Sequence, residues 1–297
     1  MPTNSSTFEA EFSKIFGEFK SKLTYNRKAE DFKHIPCLFA PLAGEKYGGS
    51  LLKIAFIGKE TLYWGKDKMS LSDQLETDWK SPINADFFYK QGFLEYKTKR
   101  MTLGCFWGFV LKVLSEIYGV SGWKTLRKNP QVYSNILKSF LWSNVHAIET
   151  ESSIAIKNLK KVDIKSGGID VTAHRIATKE ADSFNKYRII KTHFAPDVCI
   201  LTSKGKSEKS YIKKVFFEDF TLEASERMIS QGMIDVYKLS ENGKNSYILH
   251  IWHPTYIFRK GKNRLIGEYA QKIVSLIKDY FPDAFQQQKE LFNPIRK

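Results

Sequence analysis

Two stretches of this chain, Ile54-Ala55-Phe56-Ile57-Gly58 and Val198-Cys199-Ile200-Leu201, carry no charged or hydroxyl-bearing side chain. An apolar run of strand length with no polar face predicts a strand covered on both sides, as in a parallel sheet held between two layers of helices. The neighbouring segments have the helical spacing that such a sheet needs. Phe8, Phe12, Ile15, Phe16 and Phe19 fall on one helical face, and CFWGFVLKVLSEIYG (105–119) reads as a buried helix closed by Gly119. Residues 180–194 read as a helix broken at Pro196, and RLIGEYAQKIVSLIKDYF (264–281) as an amphipathic closing helix. SFLWSNVHAIE (139–149) starts as a second strand, and residues 233–254 read as two strands joined by a turn at Asn242-Gly243. The expected fold class is therefore α/β: a single domain, 1–297, with a central, largely parallel sheet flanked by helices. To it belong an N-terminal helical extension, 1–35, and an aromatic-rich loop excursion, 61–101.

With 47 Lys and Arg against 32 Asp and Glu, the formal charge of +15 favours a polyanionic partner, nucleic acid before membrane. No apolar run has the roughly 20 residues of a spanning helix, and the N-terminus lacks the pattern of a signal peptide, so a cytoplasmic protein is expected. The cysteines Cys37, Cys105 and Cys199 form no CxxC pair. That spacing argues against a disulfide framework, a zinc site or an iron–sulfur cluster.

Ligands of open α/β sheets gather beyond the carboxyl ends of the strands, so the residues that follow each strand carry the functional information. The first strand runs into Gly58-Lys59-Glu60, the second ends at Asn144, and the last leads into HPTYIFRKG (253–261). Neither a dinucleotide-binding glycine pattern nor a P-loop pattern is present.

These blocks, together with PDVCILTSKG (196–205) for the third strand, resemble the ordered motifs of the uracil-DNA glycosylase superfamily over about Leu51 to Phe281. The resemblance implies a monomeric, monofunctional DNA glycosylase that flips a base out of duplex DNA and hydrolyses its N-glycosidic bond, with no metal and no organic cofactor. That reaction builds positive charge on the sugar and negative charge on the leaving base, so it needs an anion on one side and hydrogen-bond donors on the other. By resemblance Glu60 is the anion and His253 the donor. From spacing alone, Glu60 reads as a solvated or capping acid, and His253 as a strand-end packing residue. Asn144 would read the base edge, although by turning its amide over it suits uracil or cytosine alike. Phe106 or Trp64 would stack on the base, both also reading as core aromatics.

The resemblance also places an apolar wedge, Ile257, in a DNA-inserting loop flanked by Arg259 and Lys260, while Lys204 and Lys206 add to the basic face. After the glutamate's position, the uracil-specific branch has proline and then a tyrosine that blocks the C5 side of the pocket. Thr61 and Leu62 stand there in this chain, or Tyr63 after a one-residue shift. A leucine gate leaves room for a C5 substituent, so a hydroxymethylated or glucosylated cytosine of phage DNA is the slightly favoured substrate, and antiphage defence the purpose. The alternatives are an ordinary uracil glycosylase of base-excision repair, a catalytically silent DNA-binding relative, and a hydrolase of nucleotides or RNA.

Overall fold

A computed structural model describes Lys14 and residues 41–58, 105–120, 130–145, 186–204, 209–227 and 233–291. In chain order these form strands β1 (Leu42–Ala43) and β2 (Ile54–Gly58), helices α1 (Cys105–Ile117) and α2 (Pro130–Leu137), and β3 (Leu141–Asn144). There follow α3 (Lys186–Phe194), β4 (Val198–Lys204), α4 (Lys209–Phe216), β5 (Thr221–Arg227), β6 (Met233–Glu241), β7 (Lys244–Trp252), α5 (Pro254–Tyr280) and α6 (Pro282–Leu291). The extension 1–35, apart from Lys14, and the excursion 61–101 lie outside the described residues.

The strands make one seven-stranded sheet in the order β1-β3-β2-β4-β7-β6-β5. Its centre, β3-β2-β4-β7, is parallel, as the apolar runs require. The flanks are not: β1, β6 and β5 all pair antiparallel, so the sheet is mixed rather than largely parallel. The hairpin at Asn242-Gly243 is the reason on one side. Both residues have positive φ, 52° and 74°, which joins β6 to β7 in a tight turn and forces them antiparallel. β5 extends the meander; its polar sequence TLEASER suits an edge strand and gives no apolar signal.

Alternation along the central strands divides the core in two. Ile54 and Phe56 of β2 point to the face covered by α1, α2 and α5, while Ala55 and Ile57 point to the face covered by α3 and α4. Asp197 locks the amino ends together. Its carboxylate accepts from Lys53 N at 2.7 Å, its own N–H donates to the Lys53 carbonyl, and its carbonyl accepts from Tyr247 N. At the far corner Gln288 accepts from Leu51 N at 3.0 Å and donates to the Tyr118 hydroxyl at 3.0 Å, which itself donates to Ser139. This buried chain of hydrogen bonds fastens α6 against α1 and the start of β2.

α5 overturns one expectation. The segment TYIFRKGKNR, expected as a DNA-inserting loop, is the first third of a 27-residue helix. His253 caps it and Pro254 occupies the first turn, where proline's fixed φ suits a helix and its missing N–H is not needed. Once nucleated there, the helix runs through Gly261, a substitution for alanine that costs only about 1 kcal/mol. Ile257, Leu265, Ile266, Tyr269 and Ile273 then fall on the buried stripe.

Candidate functional site

The parallel strands β3-β2-β4-β7 have the first strand second in the row, with successive connections leaving it in opposite directions. That makes the crevice between the ends of β2 and β4 the topological switch point, where α/β sheets bind ligands. The carboxyl ends around it are Gly58, Asn144, Lys204 and Trp252.

Gly58 and Asn144 are register partners in β2 and β3, and Val145 N donates to the Gly58 carbonyl at 2.8 Å. The alternation that turns Phe56 toward α1 would turn a side chain at position 58 the same way. A Cβ there would stand 2.5 Å from Asn144 Oδ1 and 3.8 Å from Phe106 Cε2. The glycine that ends the first strand thus gives its room to a carboxamide. Asn144 is 2% exposed, so its amide is held inside the protein at the strand end and not in solvent.

Phe106, in the first turn of α1, closes this corner. Its ring lies nearly parallel to that of His253, 14° between planes and 6.3 Å between centroids, and edge-on to Trp107, which in turn meets Trp142. Gly58, Asn144, Phe106 and His253 therefore share one corner of the molecule. Phe106 contributes aromatic surface to it and is at the same time part of the core edge.

His253 is held by the helix it starts. Nδ1 accepts from Thr255 N at 3.2 Å, and its carbonyl accepts from Tyr256 N and Ile257 N. An accepting Nδ1 carries no proton, so the neutral ring bears its hydrogen on Nε2 as a donor. The positive end of α5 adds to the attraction of this corner for negative charge. An uncharged imidazole with a fixed donor is what stabilisation of a developing oxyanion requires.

Two expected DNA contacts are corrected. Ile257 is 2% exposed and packs in the α1–α5 core, so it is no wedge; the helix that stands in place of the expected loop turns it inward. Lys204 Nζ lies 2.5 Å from Asp235 Oδ2 with only 16% of its side chain exposed, so its charge is already matched. Arg259 and Lys260 fall on α5, with side chains outside the description, and Glu60, Leu62, Tyr63, Trp64 and Lys206 lie outside the described residues.

Lys204 belongs to a polar group that the sequence does not disclose. The pairing of β4 with β7 shifts between Leu201 and Lys204, a bulge that leaves Thr202 and Ser203 against Ile251 alone. Thr202 donates to the Ile57 carbonyl at 3.1 Å, and Ser203 Oγ lies 3.4 Å from His250 Nε2. His250 sits opposite Asp235 in the β6–β7 ladder. Burial, then nearby Lys204, hold the His250 ring down to about 4, against a smaller opposing pull from Asp235, so it is neutral near pH 7. The alternation of LHIWHP already turns His250 away from the Ile251 face, but its partners come from distant strands and leave no sequence signal.

A cleft of about 370 Å³ lies elsewhere, lined by Tyr187, Lys191, Phe216, Asp219 and Glu241 among others. Glu241 ends β6 beside the start of β7, so this cleft is at the amino end of the parallel strands, away from Asn144 and His253. Lys191 is paired there with Glu241 at 2.8 Å. Among the described residues no cluster of His, Cys, Asp and Glu has a metal-binding arrangement, and no helix is long and apolar enough to cross a membrane. No protein-family model matches the chain, and a search of curated proteins finds no match.

Proposed function

We propose that this protein is a monofunctional DNA glycosylase that hydrolyses the N-glycosidic bond of an extrahelical pyrimidine. The observation that carries the reading is the convergence of Asn144, Phe106 and His253 on one corner beside the switch point, with Gly58 leaving room for the amide. Each has a part suited to it. Asn144 offers a buried amide to the base edge, Phe106 a ring face, and His253 an Nε2–H donor to the base oxygen as the bond breaks and the base becomes anionic. Glu60, two residues past Gly58 in the chain, supplies the carboxylate that orients water and offsets the positive charge of the sugar. The formal charge of +15 supports a nucleic-acid substrate.

Within this reading the favoured base is a cytosine enlarged at C5, because an ungapped match to the uracil-specific pattern puts Leu62, rather than Tyr63, in the place of its blocking tyrosine. Duplexes carrying a single uracil, an unmodified cytosine or a glucosylated hydroxymethylcytosine at one position test both levels. Abasic sites, revealed by alkaline strand cleavage, should form fastest with the glucosylated base. Abasic sites from uracil alone would restore an ordinary repair enzyme, and none from any duplex would end the glycosylase reading.

A further inference from the structure

Among the described residues, Leu51, Leu222 and Tyr256 are the large hydrophobic side chains left exposed, and Tyr256 is the one aromatic of the three. It is 43% exposed in the first turn of α5, and its N–H donates to the carbonyl of His253. Four residues earlier, Trp252 ends β7 and packs against the α1–α5 core. The two rings are stacked, 4.7 Å between centroids and 24° between planes. Trp252 therefore covers one face of the tyrosine and props it from behind, while Tyr256 as a whole stays 43% exposed.

A tyrosine in water gains little from being displayed in this way, and at the lip of the corner holding His253 the display has a consequence. An exposed ring face stacks on a nucleobase whatever its identity, and a surface with an excess of positive charge holds the phosphates that bring the base there. The ring is also backed by a second ring and by the core, so it does not project as a thin wedge able to part an intact stack.

We propose that Trp252 and Tyr256 form a stacking platform for one unpaired base of a DNA strand, a neighbour of the reacting nucleotide. The platform rests on the nucleic-acid reading above, and it replaces insertion by Ile257 with capture of a base that has already left the helix. The preferred DNA is thus single-stranded or locally opened.

The test compares two labelled single-stranded oligonucleotides of equal length at low salt, one of thymidylate and one whose every position is an abasic tetrahydrofuran. Both carry the same phosphates, and only the first has bases. The full-length wild-type chain should bind thymidylate more tightly. Tyr256→Ala, an exposed change that leaves the core untouched, should lower thymidylate affinity by roughly 5- to 150-fold and leave the abasic strand as it was. Tyr256→Phe should keep the affinity, because the ring and not the hydroxyl is used. Equal thymidylate binding by Tyr256→Ala and wild type would overturn the platform, as would an equal loss on both strands or no binding of either. Base release is measured separately. A wild-type chain that releases no base but shows Tyr256-dependent binding ends the glycosylase reading and leaves the platform standing, while base release with Tyr256-independent binding does the reverse.

Discussion

Replacing Gly58 by alanine puts one methyl group into the most crowded part of the site. Left-handed φ among the described residues occurs at Ala195, Asn242, Gly119 and Gly243, and Gly58 is not one of them, so alanine there meets no backbone strain. Its cost is steric. The new Cβ would stand 2.5 Å from Asn144 Oδ1, well inside the van der Waals separation, with Phe106 Cε2 3.8 Å away. Asn144 is 2% exposed and cannot swing into solvent without leaving its pocket. Overpacking of this kind costs about 1–3 kcal/mol, and for a chain of this size about 2 kcal/mol lowers Tm by roughly 3 °C. The cost is tied to one atom, so it should vanish when that atom is removed. In an Asn144→Ala background, Gly58→Ala should change stability by less than about 0.5 kcal/mol, giving a coupling of about 1–3 kcal/mol. Urea unfolding of the wild type, the two single variants and the double variant measures it. Additive losses would refute the claim that position 58 is glycine to make room for the carboxamide. Gly58→Ala should also slow base release with Glu60 and His253 intact, because it moves the group that reads the base.

Other substitutions separate chemistry from folding. Glu60→Gln and His253→Ala should each lower base release by on the order of 100-fold or more. Loss of the Nδ1 cap in His253→Ala should cost about 1 kcal/mol, which His253→Asn should recover in unfolding experiments without restoring activity. Affinity for duplex DNA should fall steeply with salt. Removing Arg259 or Lys260 should lower the slope of log K against log salt by about one unit for each phosphate that is no longer neutralised. Stability should also depend on His250. Its folded value, about 4, lies below the 6.5 of a free ring, so the unfolded chain takes up the proton first. Stability should therefore fall as pH drops through 6.5 and level off below about 4, a loss on the order of 3 kcal/mol that His250→Gln removes. A pH profile unchanged by that substitution would contradict the burial of a neutral ring.

The parallel centre of the sheet is legible in the sequence because apolar runs such as IAFIG leave a strand no polar face, and the Asn242-Gly243 turn because two consecutive positive-φ positions favour those residues. β5 is not legible: TLEASER has neither an apolar run nor a regular alternation of apolar residues, and it is held as a strand by pairing with β6. The start of α5 is expected as a loop on the resemblance alone, whereas the cap at His253-Pro254 and the distant packing of Ile257 against α1 make it a helix. In the candidate site, the positions of Asn144 and His253 at strand ends are legible, and their roles rest on the resemblance. Their meeting with Phe106 depends on the order of strands, which no local pattern encodes. The pairing of Lys204 with Asp235 is hidden for the same reason, since β6 reaches β4 only through β7.

Mass spectrometry of the small molecules released from DNA tests the central claim most directly. Purified protein is incubated with DNA containing glucosylated hydroxymethylcytosine, with uracil-containing DNA and with unmodified DNA, alongside the Glu60→Gln variant. A free, intact glucosylated base released by the wild type, little or none by Glu60→Gln, and polymeric DNA left carrying abasic sites is the predicted result. No free base from any of the three DNAs, or equal release by Glu60→Gln, would contradict the account.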